Sequence, residues 1–171
     1  MSRIQELTAE LEDARREFVA ALTHVDPALV TAPGLLGEWS ARELVAHMGY
    51  WCGHGAEALH LASQGRLAEF VDENFDVDAR NATVARVARE TDYGTVRARE
   101  EAAYAAFLGQ LGALEPALLE ARAPYGASIE EIVRENGSEH YREHTTHLRE
   151  WWTGEATNDD DDDGADDGSG A

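Results

Sequence analysis

The chain has 171 residues, a single cysteine, and a formal net charge of −20 at pH 7 with no lysine among its 14 basic residues. That length suits one domain with a full-sized core. Cys52 alone excludes an internal disulfide and a cysteine-built zinc site. No apolar run is long enough to cross a bilayer and no signal-peptide pattern opens the chain, so the expected compartment is the cytoplasm. Eight acids lie from Glu155 onward, which leaves 26 acids against 14 Arg, a net of −12, for the rest. Such a surface argues against contacts to nucleic-acid phosphates. It fits salt adaptation, in which carboxylates keep the surface hydrated and salt screens their mutual repulsion; GC-rich coding would also replace Lys by Arg.

In chain order, residues 2–24 form a first helix, with Ile4, Leu7, Leu11, Phe18, Val19 and Leu22 near helical spacing. A loop punctuated by Pro27, Pro33, Gly34 and Gly37 follows, to Trp39. Ser40 with Glu43 is a capping box and opens a second helix over 41–63, ending at Gly65. Its apolar stripe includes Leu44, Met48, Trp51, Gly55 and Ala58, with His47 at the border and His54 two turns further along nearly the same line. An acidic loop over 66–77 is anchored by Leu67, Phe70, Val71 and Phe75. A third helical region opens near Asp78, with Asn81, Val84 and Val87 expected in the core. Asp92-Tyr93-Gly94 breaks it, and Thr95 caps a continuation to about Leu111. After a connection over 112–126, with one helical turn at 116–120, Ser128 and Glu131 form a second capping box. They open a last helix that ends at Gly154, with Asn136-Gly137 as a weak point. Residues 155–171 are low-complexity Asp, Gly, Ser and Ala and read as a disordered tail. The expectation is an all-α, antiparallel four-helix bundle over residues 1–154.

The last helix carries the chemistry. At about 100° per residue, with His140 at zero, His144 falls at about 40°, His147 at about −20°, Trp151 and Val133 at about 20°, and Asn136 at about −40°. One stripe, apolar at both ends, thus carries three imidazoles, and buried polar groups need partners. Two His at i and i+4 can reach one divalent ion; the plainer alternative is a set of half-exposed, hydrogen-bonded histidines. In a bundle, metal sites form between facing helices, and His47 is the residue the second helix offers. Three His ligands with a fourth position open describe a catalytic kind of site.

Trp39-Ser40-Ala41-Arg42-Glu43-Leu44-Val45-Ala46-His47 resembles the W-S-x-x-[ED]-h-x-x-H stretch of the DinB/YfiT-like superfamily, with Gly37-Glu38 also in place. His140-x-x-x-His144 with the Leu148-Arg149-x-Trp151 ending is similar to the last-helix motif of that group, and Asn81 matches an Asn often found there. The group includes the N-terminal domain of mycothiol-dependent maleylpyruvate isomerase and bacterial thiol S-transferases. The resemblance implies a four-helix bundle with a divalent ion, zinc or nickel, on His47, His140 and His144. It implies a metal-dependent transferase or isomerase that uses a low-molecular-weight thiol and a small-molecule substrate. His147 could orient a ligand, contact substrate or replace a ligand. Asn136 could orient a ligand, Trp51 and Trp151 could wall a cavity, and His54 stands nearby. Cys52 is a weak candidate nucleophile, since it turns away from the His47 stripe. Two readings of another class stay open: a non-catalytic metal- or small-molecule-binding bundle of stress-response type, and a structural homodimer whose ion ties helices together. A structural site would recruit a fourth protein ligand, His147 or His54; an enzyme would leave that position open beside a cavity.

Overall fold

The computed structural model describes residues 1–71 and 75–154. The helices are α1 (Arg3–Leu22), α2 (Ala41–Ser63), α3 (Val77–Arg89), α4 (Tyr93–Ala113), α5 (Ile129–Val133) and α6 (Glu139–Thr153). A π turn over Arg134–Ser138 joins the last two into one rod. Helices α1, α2, α4 and this rod make the four-helix bundle, and α3 is an additional helix laid against α2. Among the described residues there is no strand, only the isolated bridges Leu36–Trp39 and Arg122–Ser128. No described helix is long and apolar enough to cross a membrane. The expected tail, its boundary at 154/155, and Asp72–Asn74 of the acidic loop lie outside the described residues.

Local chemistry sets the helix starts. Ser40 donates its N–H to Glu43 Oε2 at 3.1 Å and its hydroxyl to the same carboxylate. Ser128 donates likewise to Glu131 Oε2, at 2.7 and 2.9 Å. Both boxes stand where the S-x-x-E spacing puts them. Glu43 does more than cap: Arg89 Nε donates to its Oε1 at 2.8 Å, which ties the end of α3 to the start of α2. Gly154, at φ 74°, closes the last rod in the left-handed conformation a glycine adopts without strain.

Two expectations are corrected. Thr95 does not cap α4; Asp92 does, accepting Thr95 N–H at 2.8 Å and Thr95 Oγ1–H at 2.6 Å, so Tyr93 and Gly94 are helical. In α3 the buried residues are Ala85 and Ala88, while Val87 is 42% exposed. A helix that meets mainly one neighbour buries only the narrow face turned to it, and small residues permit that close approach.

The core is formed by Leu7, Leu11 and Phe18 of α1, Leu44, Met48 and Leu59 of α2, Phe107 and Leu111 of α4, and Ile132, Tyr141 and Leu148 of the last rod. Full burial of a side chain of this size stabilises by about 1.5–3 kcal/mol. Phe107 is clamped between two glycines, Gly55 of α2 and Gly137 of the π turn. Their missing side chains let the two rods that bear the histidines close on one ring. A charged group lies deep in this core. Glu100 is 1% exposed and accepts Arg15 Nε–H and Nη2–H at 2.9 Å each and Tyr141 Oη–H at 2.5 Å. A buried carboxylate persists only when paired in this way.

Candidate metal centre

His47 lies two turns into α2, and His140 and His144 lie on successive turns of α6. The three rings meet between the rods. Ring centroids are 4.7 Å apart for His47–His140, 4.9 Å for His47–His144 and 4.7 Å for His140–His144. One nitrogen from each can be chosen so that all three lie within 4.8 Å of one another. His47 Nε2 and His140 Nε2 are 2.8 Å apart. Two nitrogens on one tetrahedral ion, each about 2.0–2.1 Å from it, would stand about 3.4 Å apart. The rings therefore need to part by roughly half an ångström to hold an ion.

Burial keeps the cluster neutral. It lowers the pKa of His47 to about 3, helped by the charge of His140 and opposed by Asn81. Burial lowers His140 to about 4, and burial together with His140, His47 and His147 lowers His144 to about 2. Neutral imidazoles keep a lone pair, the form that binds metal. The donor set is also underused. His47 Nδ1, His140 Nδ1 and His144 Nε2 are buried and have no hydrogen-bond partner among the described residues. His144 Nδ1 is 3.1 Å from His147 Nδ1, so Nε2 is the atom that His144 has to offer. Buried polar atoms without partners are uncommon in folded proteins; an ion between His47 Nε2 and His140 Nε2 would give the orphaned His144 Nε2 its partner.

Around the cluster, the Trp39 ring lies 5.0 Å from His47, and Trp51 lies 6.2 Å from His47 and 6.4 Å from His140. Trp51 Nε1–H donates to Asn81 Oδ1 at 3.0 Å, which fixes the indole and explains the position of Asn81 early in α3. Trp51 also lines a cavity of about 460 Å³, whose described walls include none of the three histidines. Its walls include Trp51, His54, Phe75 and Tyr125, with Glu135 and Asn136 supplied by the π turn.

The other singled-out residues fall as follows. His147 touches His144 and is not part of the three-nitrogen cluster. His54 stacks on Phe75 at 5.0 Å, lies tilted against Phe70 at 4.5 Å and is also outside the cluster. Asn136 does not bond to a ligand ring; its Nδ2–H donates to Ile132 O at 3.0 Å, within its own rod. Trp151 groups with Trp152, His24 and Leu29 at a separate groove. Cys52 is buried, its Sγ 3.2 Å from Tyr141 Oη, and burial pushes its pKa up to about 12, which leaves it inert as a nucleophile. Sequence reasoning missed the contact of Trp39 with His47, although the eight-residue spacing within one motif was its signal. It also missed the aromatic box around His54, whose members come from separate segments.

Fold and site together define an all-α four-helix bundle with a three-histidine cluster, His47 and His144 buried and His140 half-buried. No family model matches the chain, and no curated protein matches it in sequence. The solved structures similar to it include an uncharacterised protein from Escherichia coli UTI89, with a TM-score of 0.75 and 15% identity over 89% of this chain and 94% of that one. Mycothiol-dependent maleylpyruvate isomerase matches with a TM-score of 0.71 and 19% identity; the match covers 86% of this chain but 61% of the isomerase. ClbS, a colibactin self-resistance protein solved in complex with double-stranded DNA, matches with a TM-score of 0.66 and 19% identity over 86% and 93% of the two chains. These likenesses show the shared fold.

Proposed function

We propose that the protein holds one divalent metal ion, zinc or nickel, on His47, His140 and His144, and acts as a metal-dependent transferase on a low-molecular-weight thiol. The observation that carries this reading is the composition of the cluster. Three neutral nitrogens converge, and neither His147 nor His54 is within the group as a fourth donor. A structural site would be closed by a fourth protein ligand, whereas a catalytic one keeps a position open. When bound, such an ion supplies Lewis acidity, which lowers the pKa of a thiol at its open position.

The chain's own residues do the rest. With Nε2 as the ligand atom, His144 carries its proton on Nδ1 and donates it to His147 Nδ1, 3.1 Å away, which holds the ring in place. Trp39 and Trp51 cover the cluster and limit water. The cavity beside Trp51 provides room for an electrophilic second substrate. A thiolate attacking that electrophile forms a sulfur–carbon bond as the leaving group departs with its electron pair, and the thiol proton passes to solvent. The mycothiol dependence of the isomerase that shares this fold is consistent with a thiol co-substrate.

The same cluster in a non-catalytic binder is a second reading, favoured by the self-resistance role in the name of ClbS. DNA, present in that neighbour's structure, is a poor partner for this chain, whose residues before Glu155 carry a net −12. The deciding assay incubates zinc- or nickel-loaded and metal-free protein with a panel of thiols and 1-chloro-2,4-dinitrobenzene. Turnover that requires both metal and thiol is expected. Equal rates in the loaded and metal-free protein would eliminate the transferase.

A further inference from the structure

We propose that the cavity beside Trp51 is built for a flat aromatic cation carrying N–H donors. The walls supply the first half of this specificity. Trp51, His54, Phe75 and Tyr125 present rings from α2, the segment before α3, and the connection before α5. His54 stacks on Phe75 at an interplanar angle of 15° and meets Trp51 edge-on at 88°, so the wall is a packed set of aromatic rings against which a planar molecule can lie. A volume of about 460 Å³ admits one or two rings with substituents and excludes larger ligands.

The π turn supplies the second half. The extra residue in a π turn re-aims the side chains near it, and such turns recur at functional sites. Here it contributes Glu135 and Asn136 to the lining. Asn136 gives one Nδ2–H to Ile132 O, which leaves its amide oxygen and one N–H for a ligand. Glu135 is an exposed member of the lining and offers a carboxylate. Glu135 accepts only, so a ligand that meets it has to bring a donor. Among the described residues, none that lines the cavity carries a positive charge. Arg80 lies over the Phe75 ring, 5.6 Å from its centroid, and is not part of the lining. The described lining thus offers an anion no counter-charge, and offers a cation a carboxylate and aromatic rings; Arg80, which reaches His54 electrostatically from outside the lining, opposes this preference in part. The net charge of −20 draws cations toward the protein as a whole.

The assignment rests on the proposed function only in making this molecule the second substrate; binding itself requires no metal. Benzamidine, benzamide and benzoate share one ring and one planar substituent and differ in charge. Titrated calorimetrically into the full chain, and followed by Trp fluorescence, benzamidine should bind at least about tenfold more tightly than benzoate, about 1.4 kcal/mol, with benzamide between them. Glu135→Gln should bring the benzamidine-to-benzoate ratio close to one. Tyr125→Ala should weaken benzamidine about two- to fivefold. The preference should be the same in chelator-treated and zinc-loaded protein. Benzoate binding as tightly as benzamidine, a ratio unchanged by Glu135→Gln, or no benzamidine binding at millimolar concentration would each overturn the proposal. Failure to bind zinc with the benzamidine preference intact removes the metal reading and leaves this one standing.

Discussion

Replacing Gly55 by Ala tests whether the approach of α2 to the last rod is set by the packing around Phe107. A Cβ on Gly55 would come within 2.6, 2.9 and 3.0 Å of three atoms of the Phe107 ring. The ring is fully buried in the core, so it has little room to move aside, and the same end of it faces the backbone of Gly137. Overpacking of this kind costs about 1–3 kcal/mol. Against it stands a helix-propensity gain of up to about 1 kcal/mol for Gly→Ala. The net expectation is a loss of roughly 0.5–2 kcal/mol. Gly53, in the same helix with nothing within 4 Å of its would-be Cβ, provides the control. Gly53→Ala should stabilise by about 0.4–1 kcal/mol. Urea denaturation of both variants isolates the packing effect, and zinc titration reads the consequence for the site, since a displaced α2 carries His47 away from His140 and His144. Phe107→Leu in the Gly55→Ala background should recover part of the loss, a favourable coupling that neither change shows alone. Two alanine variants of equal stability would show that Phe107 does not control the helix approach.

Removing the guanidinium with Arg15→Met strands Glu100 at 1% exposure and should cost about 3–5 kcal/mol in urea denaturation; the Arg15→Met, Glu100→Gln double variant should lose less, and a neutral Arg15→Met contradicts the buried pair. The metal-free protein should lose stability as pH falls below about 6.5. His47, His140 and His144 stay unprotonated in the fold down to about 3, 4 and 2, while the unfolded chain takes up protons near the ordinary imidazole value of 6.5. Below that pH the unfolded state binds more protons, so the slope is positive there and flat above it. A denaturation midpoint unchanged between pH 7 and pH 4.5 would contradict the buried, neutral cluster. Cys52, with its thiol pushed up to about 12, should react with a disulfide reagent at pH 8 only after unfolding; prompt reaction in the native protein would contradict its burial.

Local features were legible and long-range ones were not. The Ser40–Glu43 and Ser128–Glu131 boxes and the His140–His144 pair depend on residues three or four apart, so helical periodicity encodes them directly. His47 could be placed because it stands at the border of the apolar stripe of α2. The π turn could not be read, because an i→i+5 turn leaves no periodic trace; Asn136-Gly137 marked only a weak point in an otherwise helical stretch. Glu100 sits beside Arg99 and Glu101 and reads as part of a solvated face. Its partners, Arg15 and Tyr141, are 85 and 41 residues away, and only the fold brings them together. Val87 followed the same logic in reverse: its spacing promised burial, but α3 turns Ala85 and Ala88 toward the bundle.

The central claim is that imidazoles from α2 and α6 form one metal-binding unit. Zinc titrated calorimetrically into chelator-treated protein should bind with a stoichiometry of about one, and loss of any one of three ligands should weaken it by tenfold or more. His47→Ala, on a different helix from the other two, is the sharpest variant: it should lose as much affinity as His140→Ala or His144→Ala. Wild-type affinity in His47→Ala, or equal metal content in wild type and the His140→Ala, His144→Ala double variant, would show that the three rings do not act together.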